Sequence, residues 1–93
     1  MKYEVALMMI PSLSEEEANK AFSSVQETVS GLGGKVDKAD FWGKKRMAYE
    51  VKRMQDAYYG SFEFESPAQV MIKVSSKLAS QSEIFRYLVV KKG

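Results

Sequence analysis

KVDKADFWGKKRMAYEVKRMQDAYYGSFEFE, residues 35 to 65, holds two strand-like runs in immediate succession. Lys35 to Phe41 alternates loosely, with Val36 and Phe41 as its apolar members, and Met47, Tyr49 and Val51 restore a period of two further on. Gly43 predicts a bend, so this strand either runs long or resumes after a bulge. Tyr58, Gly60, Phe62 and Phe64 then alternate with Tyr59, Ser61, Glu63 and Glu65 as the next strand, and Gln55-Asp56-Ala57 reads as the turn between the two. Gly60, with no side chain, marks a close approach of another backbone or a bulge. Two consecutive strands make a hairpin, and what flanks the hairpin decides the topology.

Before it, Tyr3, Val5, Leu7 and Met9 alternate with Lys2, Glu4, Ala6 and Met8 as a strand that Pro11 ends. Ala6 and Met8 are not polar, so both faces of that strand are expected to be partly covered. Ser14-Glu15-Glu16-Glu17 forms a capping box, with the Ser14 hydroxyl on a free amide and Glu17 reaching back. Ala18, Ala21, Phe22, Val25, Val29 and Leu32 follow at helical spacing, and Gly31, Gly33 and Gly34 stop the helix. After the hairpin, Ser66-Pro67 reads as an N-cap with proline at the first helical position. Val70, Met71, Val74 and Leu78 line one face of this second helix, with Gln69, Lys73, Ser76 and Lys77 opposite. Ile84 to Val90 is a final strand before Lys91-Lys92-Gly93.

The order is β-α-β-β-α-β within 93 residues, one domain spanning residues 1 to 93. With right-handed crossovers this is the α+β, ferredoxin-like split βαβ plan, a four-stranded antiparallel sheet with both helices on one face. If Val5, Leu7, Tyr87 and Val89 point toward the helices, Ala6, Met8, Leu88 and Val90 lie on the open face. Apolar residues on an open sheet face call for a protein or RNA cover, or for a symmetric homodimer.

Composition bounds the chemistry. The charged fraction is 28% and the net charge only +2, so basic character must come from placement. Residues 35 to 53 hold seven of the fourteen Lys and Arg, whereas residues 14 to 27 hold four acids and Lys20 alone. With no Cys and no His there is no disulfide, thiolate nucleophile or imidazole base, and most zinc sites are excluded. Glu15, Glu16 and Glu17 serve a helix start better than a metal. Gly31-Leu32-Gly33-Gly34 follows a helix, where a phosphate loop would follow a strand. Ser75, Ser76 and Ser80 sit on a helix surface without a base. No cofactor, metal, enzymatic activity or small-molecule substrate is expected. No stretch approaches the roughly 20 apolar residues of a membrane span, and the Met1–Ile10 run lacks a small-residue cleavage site, so a cytoplasmic location is expected.

The functional signal lies at 42 to 53, where Lys44, Lys45, Arg46, Lys52 and Arg53 oppose only Glu50 and are interleaved with Trp42 and Tyr49. Cations neutralise phosphates and aromatic faces stack on bases. The same residues also fit a solvated hairpin whose lysines protect a sheet edge from aggregation. The third strand, Tyr58-Tyr59-Gly60-Ser61-Phe62-Glu63-Phe64, is only faintly like the RNA-recognition motif, because Asp56-Ala57 stands where that motif has a basic residue and glycine.

Trp42-Gly43-Lys44-Lys45-Arg46-Met47-Ala48-Tyr49-Glu50-Val51-Lys52 closely resembles the signature of the bacterial ribosomal small-subunit protein six family, departing by Met47 for Leu and Val51 for Ile. Lys2-Tyr3-Glu4 resembles the family's opening, Tyr58-Tyr59 with Phe62-Glu63-Phe64 its third strand, and Arg86-Tyr87-Leu88-Val89-Val90-Lys91 its closing strand. The resemblance implies a ferredoxin-like structural component of the small ribosomal subunit. It implies binding to the central domain of small-subunit rRNA together with ribosomal small-subunit protein eighteen, as a heterodimer. Carried over by position, Lys2, Tyr3 and Lys91 lie on adjacent strand ends and touch rRNA, with Lys92 and Arg86 on the same closing strand. Lys44, Lys45 and Arg46 bind phosphate or shape the partner interface. Met8, Trp42, Tyr49, Leu88 and Val90 are expected to face the partner. A protein-interaction or homodimeric module without RNA binding is the alternative. Some members carry an acidic C-terminal tail that is extended with glutamates, and this chain ends instead on Lys91-Lys92-Gly93.

Overall fold

The computed structural model describes residues 1–51 and 53–92, and only the backbone of Tyr49 and Val51. Its elements are β1 (Lys2–Met9), α1 (Glu15–Gly31), β2 (Lys35–Val51), β3 (Met54–Glu65), α2 (Ala68–Ser80) and β4 (Ile84–Lys92). The strands form one antiparallel sheet in the order β2-β3-β1-β4, so β1 and β3 are central and β2 and β4 are edges. This is the split βαβ arrangement that the element order requires.

Alternation divides the sheet into two faces. Tyr3, Val5, Leu7 and Met9 of β1 and Tyr58, Phe62 and Phe64 of β3 are buried with Phe22, Val25 and Val29 of α1 and Val74 and Leu78 of α2. On β4, Tyr87 and Val89 pair with Leu7 and Val5 and pack against this core, while Leu88 and Val90 remain exposed. The side chains set between them on β1, Lys2, Glu4, Ala6 and Met8, belong to the open face.

Helix α1 begins as its sequence dictates. The Ser14 hydroxyl accepts the Glu17 amide at 3.1 Å, and the Glu17 carboxylate accepts the Ser14 amide at 2.8 Å. It ends where Gly33 takes a φ of 101° and the Gly34 amide returns to the Val29 carbonyl at 2.9 Å. Helix α2 begins one residue later than its sequence suggests. Pro67 is the N-cap, not the first helical residue, and the Ser66 hydroxyl donates to the Pro67 carbonyl rather than capping a helix amide.

The β2–β3 hairpin differs most from the sequence reading. Gln55-Asp56-Ala57 is not the turn. These residues lie within β3, Asp56 and Ala57 pair with Arg46 and Lys45, and the strands close at Val51 and Met54, with Arg53 at a φ of 65°. The hydrophobic run from Tyr58 onward therefore has four more strand residues ahead of it. Strand β2 does run long, and it absorbs irregularities between Asp37 and Asp40, between Phe41 and Gly43, and between Arg46 and Val51. Bulges bend a strand and sharpen its twist. The outer half of the hairpin accordingly brings Met47 and Ala48 alongside Met8 and Tyr59 of the open face, and Met47 is buried. Lys52, Gly93 and the side chains of Tyr49 and Val51 lie outside the described residues.

Candidate nucleic-acid interface

At one end of the open face, Lys2 pairs in register with Lys92 across β1 and β4. The Lys2 ammonium lies 3.4 Å from Glu63 Oε1, and the Lys92 ammonium donates to Glu63 Oε2 at 3.3 Å and stands 4.0 Å from Glu4. Burial pushes the Glu63 carboxyl up. The hydrogen bond from Lys92, the charges of Lys38 and Lys92 and the hydrogen bond from Lys2 outweigh it, and the group stays below its ordinary value. Lys91, in register with Tyr3, stands at the same strand end with its side chain on the helix side.

Tyr3 itself plays another part. It lies on the helix side of β1, 3% exposed, with its ring stacked on Phe64 at 5.3 Å and its hydroxyl donating to the Met1 sulfur. A ring so placed is part of the core, and it presents no open face to a base.

At the other end, Met8 pairs with Arg86. An open trough of about 620 Å³ lies there, lined by Ala6, Leu7, Met8, Met47, Ala48, Tyr59, Arg86, Tyr87 and Leu88. Leu88 is 61% exposed and Val90 44%. The six-residue step along β1 from Lys2 to Met8 separates the basic end from the trough by roughly 20 Å. An apolar strip of Ala6, Leu88 and Val90 joins them.

The pleat divides the hairpin cations. Lys44 pairs with Tyr58 and holds its ammonium 5.5 Å from the centre of that ring, on the helix side. Lys45 pairs with Ala57, on the other side, and lies 5.3 Å from the Trp42 ring centre, a cation–π contact. Arg46 returns to the Lys44 side opposite Asp56. Of Lys44, Lys45 and Arg46, Lys45, with the half-exposed Trp42, therefore shares the open face with Arg86 and the basic cluster. Glu63 and Lys38 were missing from the expected site, because a strand sequence shows which residues share a face but not which strand they meet.

The sequence profile of the family described as Ribosomal protein S6 matches residues 2–91. The chain belongs to the ribosomal protein S6 family. Small ribosomal subunit protein bS6 of Dictyoglomus turgidum is 32% identical over 88 residues, covering 95% of this chain and 91% of the relative. That of Moorella thermoacetica is 33% identical over 89 residues, covering 96% and 91%. The crystal structure of 30S ribosomal protein S6 from Thermotoga maritima superposes with a TM-score of 0.91 at 24% identity, covering 98% of this chain and 86% of that one, and speaks for the fold. As an S6-family chain this is a component of the small ribosomal subunit, a structural protein of the cytoplasmic ribosome and not an enzyme. Among the described residues no helix is long and apolar enough to cross a membrane.

Proposed function

We propose that this chain binds the central domain of small-subunit rRNA jointly with ribosomal small-subunit protein eighteen. The observation that carries the reading is the layout of the open face, an apolar trough and strip with cations at both ends. The apolar part, Met8, Leu88 and Val90 with Trp42 at its margin, takes the protein partner, and Tyr49 is assigned to the same interface by the family resemblance. Lys2, Lys91 and Lys92 at one end and Arg86 and Lys45 at the other meet RNA phosphates. Lys44 and Arg46, on the far side of the hairpin, reach RNA only where it wraps the sheet edge, and Tyr3 supports Lys2 from the core. Phosphate contacts set position and shape more than sequence.

The test is titration of a labelled central-domain rRNA fragment at two salt concentrations, with and without protein eighteen. Tight binding that needs the partner and weakens with salt is expected. Replacing Lys2 and Lys92 with Ala should lower the salt slope by roughly 0.7–0.9 per phosphate contact removed. Flat titrations in both cases, with a concentration-dependent dimer in analytical ultracentrifugation, would instead assign the open face to self-association.

A further inference from the structure

Lys38 owes its position to a defect in alternation. Val36 pairs with Phe64 and Phe41 with Gly60, so both face the helices although five positions separate them. An odd separation demands one extra residue. It is taken up between Asp37 and Asp40, where Lys38 adopts a φ of 51°. Such backbone is unfavourable for a residue with a β-carbon. The Asp37 carboxylate holds it by accepting the Lys38 amide at 2.9 Å. Bulges that persist against strain commonly re-aim a side chain, and Lys38 is aimed at Glu63.

Met1, Lys2, Lys38, Glu63, Lys91 and Lys92 line one shallow depression of about 430 Å³. Lysines of three strands thus line it, and two of them, Lys2 and Lys92, hold its one carboxylate. The arrangement is layered: the Glu63 side chain is 10% exposed, those of Lys2 and Lys92 39% and 46%. An ammonium has three N–H donors. Glu63 engages one from each of two lysines on the floor side, which leaves donors directed outward. Glu4 and Asp37 flank the depression without lining it.

We propose that this depression seats a phosphate group of an RNA backbone, with Glu63 as the positioning residue that fixes Lys2 and Lys92 beneath it and with Lys38 closing the rim. The physical gain is preorganisation. A free lysine loses rotamer freedom when it grips an anion, and here Lys2 and Lys92 have lost part of it before the anion arrives. The natural ligand rests on the rRNA reading above, whereas the anion seat stands on its own geometry.

The experiment is a two-dimensional NMR titration of the whole chain with inorganic phosphate, followed by the rRNA fragment with protein eighteen. The amide and side-chain resonances of Lys2, Lys38 and Lys92 should shift together and saturate, while Lys73 and Lys77 on α2 stay still. Glu63→Gln should weaken phosphate binding three- to tenfold and sharpen the motion of the Lys2 and Lys92 ammonium groups in relaxation measurements, with the melting temperature recording any loss of fold separately. Lys38→Ala, an exposed change, should weaken binding two- to fivefold with no change in melting. Tighter binding by Glu63→Gln would overturn the positioning role, since the carboxylate would then only subtract charge. Equal shifts at all lysines, or none, would overturn the seat. Saturable phosphate binding with a flat rRNA titration would keep the seat and overturn its assignment to RNA.

Discussion

The ring of Phe22 fills the space that a β-carbon on Gly60 would need, with its Cε1 2.7 Å and its Cδ1 2.8 Å from that position. The ring is held there by Phe41 at 5.9 Å and Phe62 at 6.1 Å between centroids. Gly60→Ala therefore cannot be relieved by a simple swing of Phe22. We expect a loss of about 1–3 kcal/mol from overpacking, read as a lower midpoint in urea unfolding. An unchanged midpoint would mean the aromatic cluster repacks freely.

Tyr58 ties the start of the hydrophobic β3 run to the loop after β1 by donating its hydroxyl to the Leu13 carbonyl at 2.9 Å. Tyr58→Phe removes this bond and keeps the ring under Lys44. The expected cost is about 1 kcal/mol. Hydrogen exchange should quicken around Leu13 and remain unchanged in α2, and uniform acceleration would contradict a local tie.

Glu17 is held below its ordinary carboxyl value by the backbone and side-chain hydrogen bonds of Ser14. A carboxyl with a lowered folded value stabilises at neutral pH. That stabilisation is complete above the ordinary glutamate value and disappears as pH falls through the lowered one. Ser14→Ala should cost about 1 kcal/mol through the lost cap and return the Glu17 titration, followed by carboxyl carbon NMR, toward its ordinary position. Glu63 has the same sign, so acid should loosen the lysine cluster as well as the helix start.

Leu88 is exposed at the margin of the trough and contributes little to the core. Leu88→Asp should change folding stability by no more than about 0.5 kcal/mol while abolishing partner binding in calorimetry. Retained binding would move the partner off this face.

Period-two alternation and the two helical faces were enough to read the element order, and a single extra observation, which side the helices cover, sorted β1 and β4 correctly. The hairpin was read less well for an identifiable reason. Gln55, Asp56 and Ala57 have turn-like polarity, yet they occupy strand positions because the chain reverses earlier, between Val51 and Met54. The five-residue gap from Val36 to Phe41 was a legible sign of a bulge, and it would have singled out Lys38. Glu63 was not legible. Its meaning depends on Lys2 and Lys92 arriving from strands distant in sequence, a matter of register and not of local pattern. The RNA contact of Tyr3 comes from the family resemblance, whereas the pleat commits its ring to the core beside Phe64.

Lys2 and Lys92 are register partners, so the second residue of the chain meets the ninety-second. Strand β1 has β3 on one side and β4 on the other, and its outer flank stays unsatisfied until the nine residues of β4 have been made. During synthesis the helices and hairpin can form early, whereas the sheet closes only once β4 has been made and released. The basic depression has the same timing, since Lys92 lies on β4. A chain cut within β4 would carry the S6 hairpin and helices but lose Lys92, and with it one of the two lysines that hold Glu63.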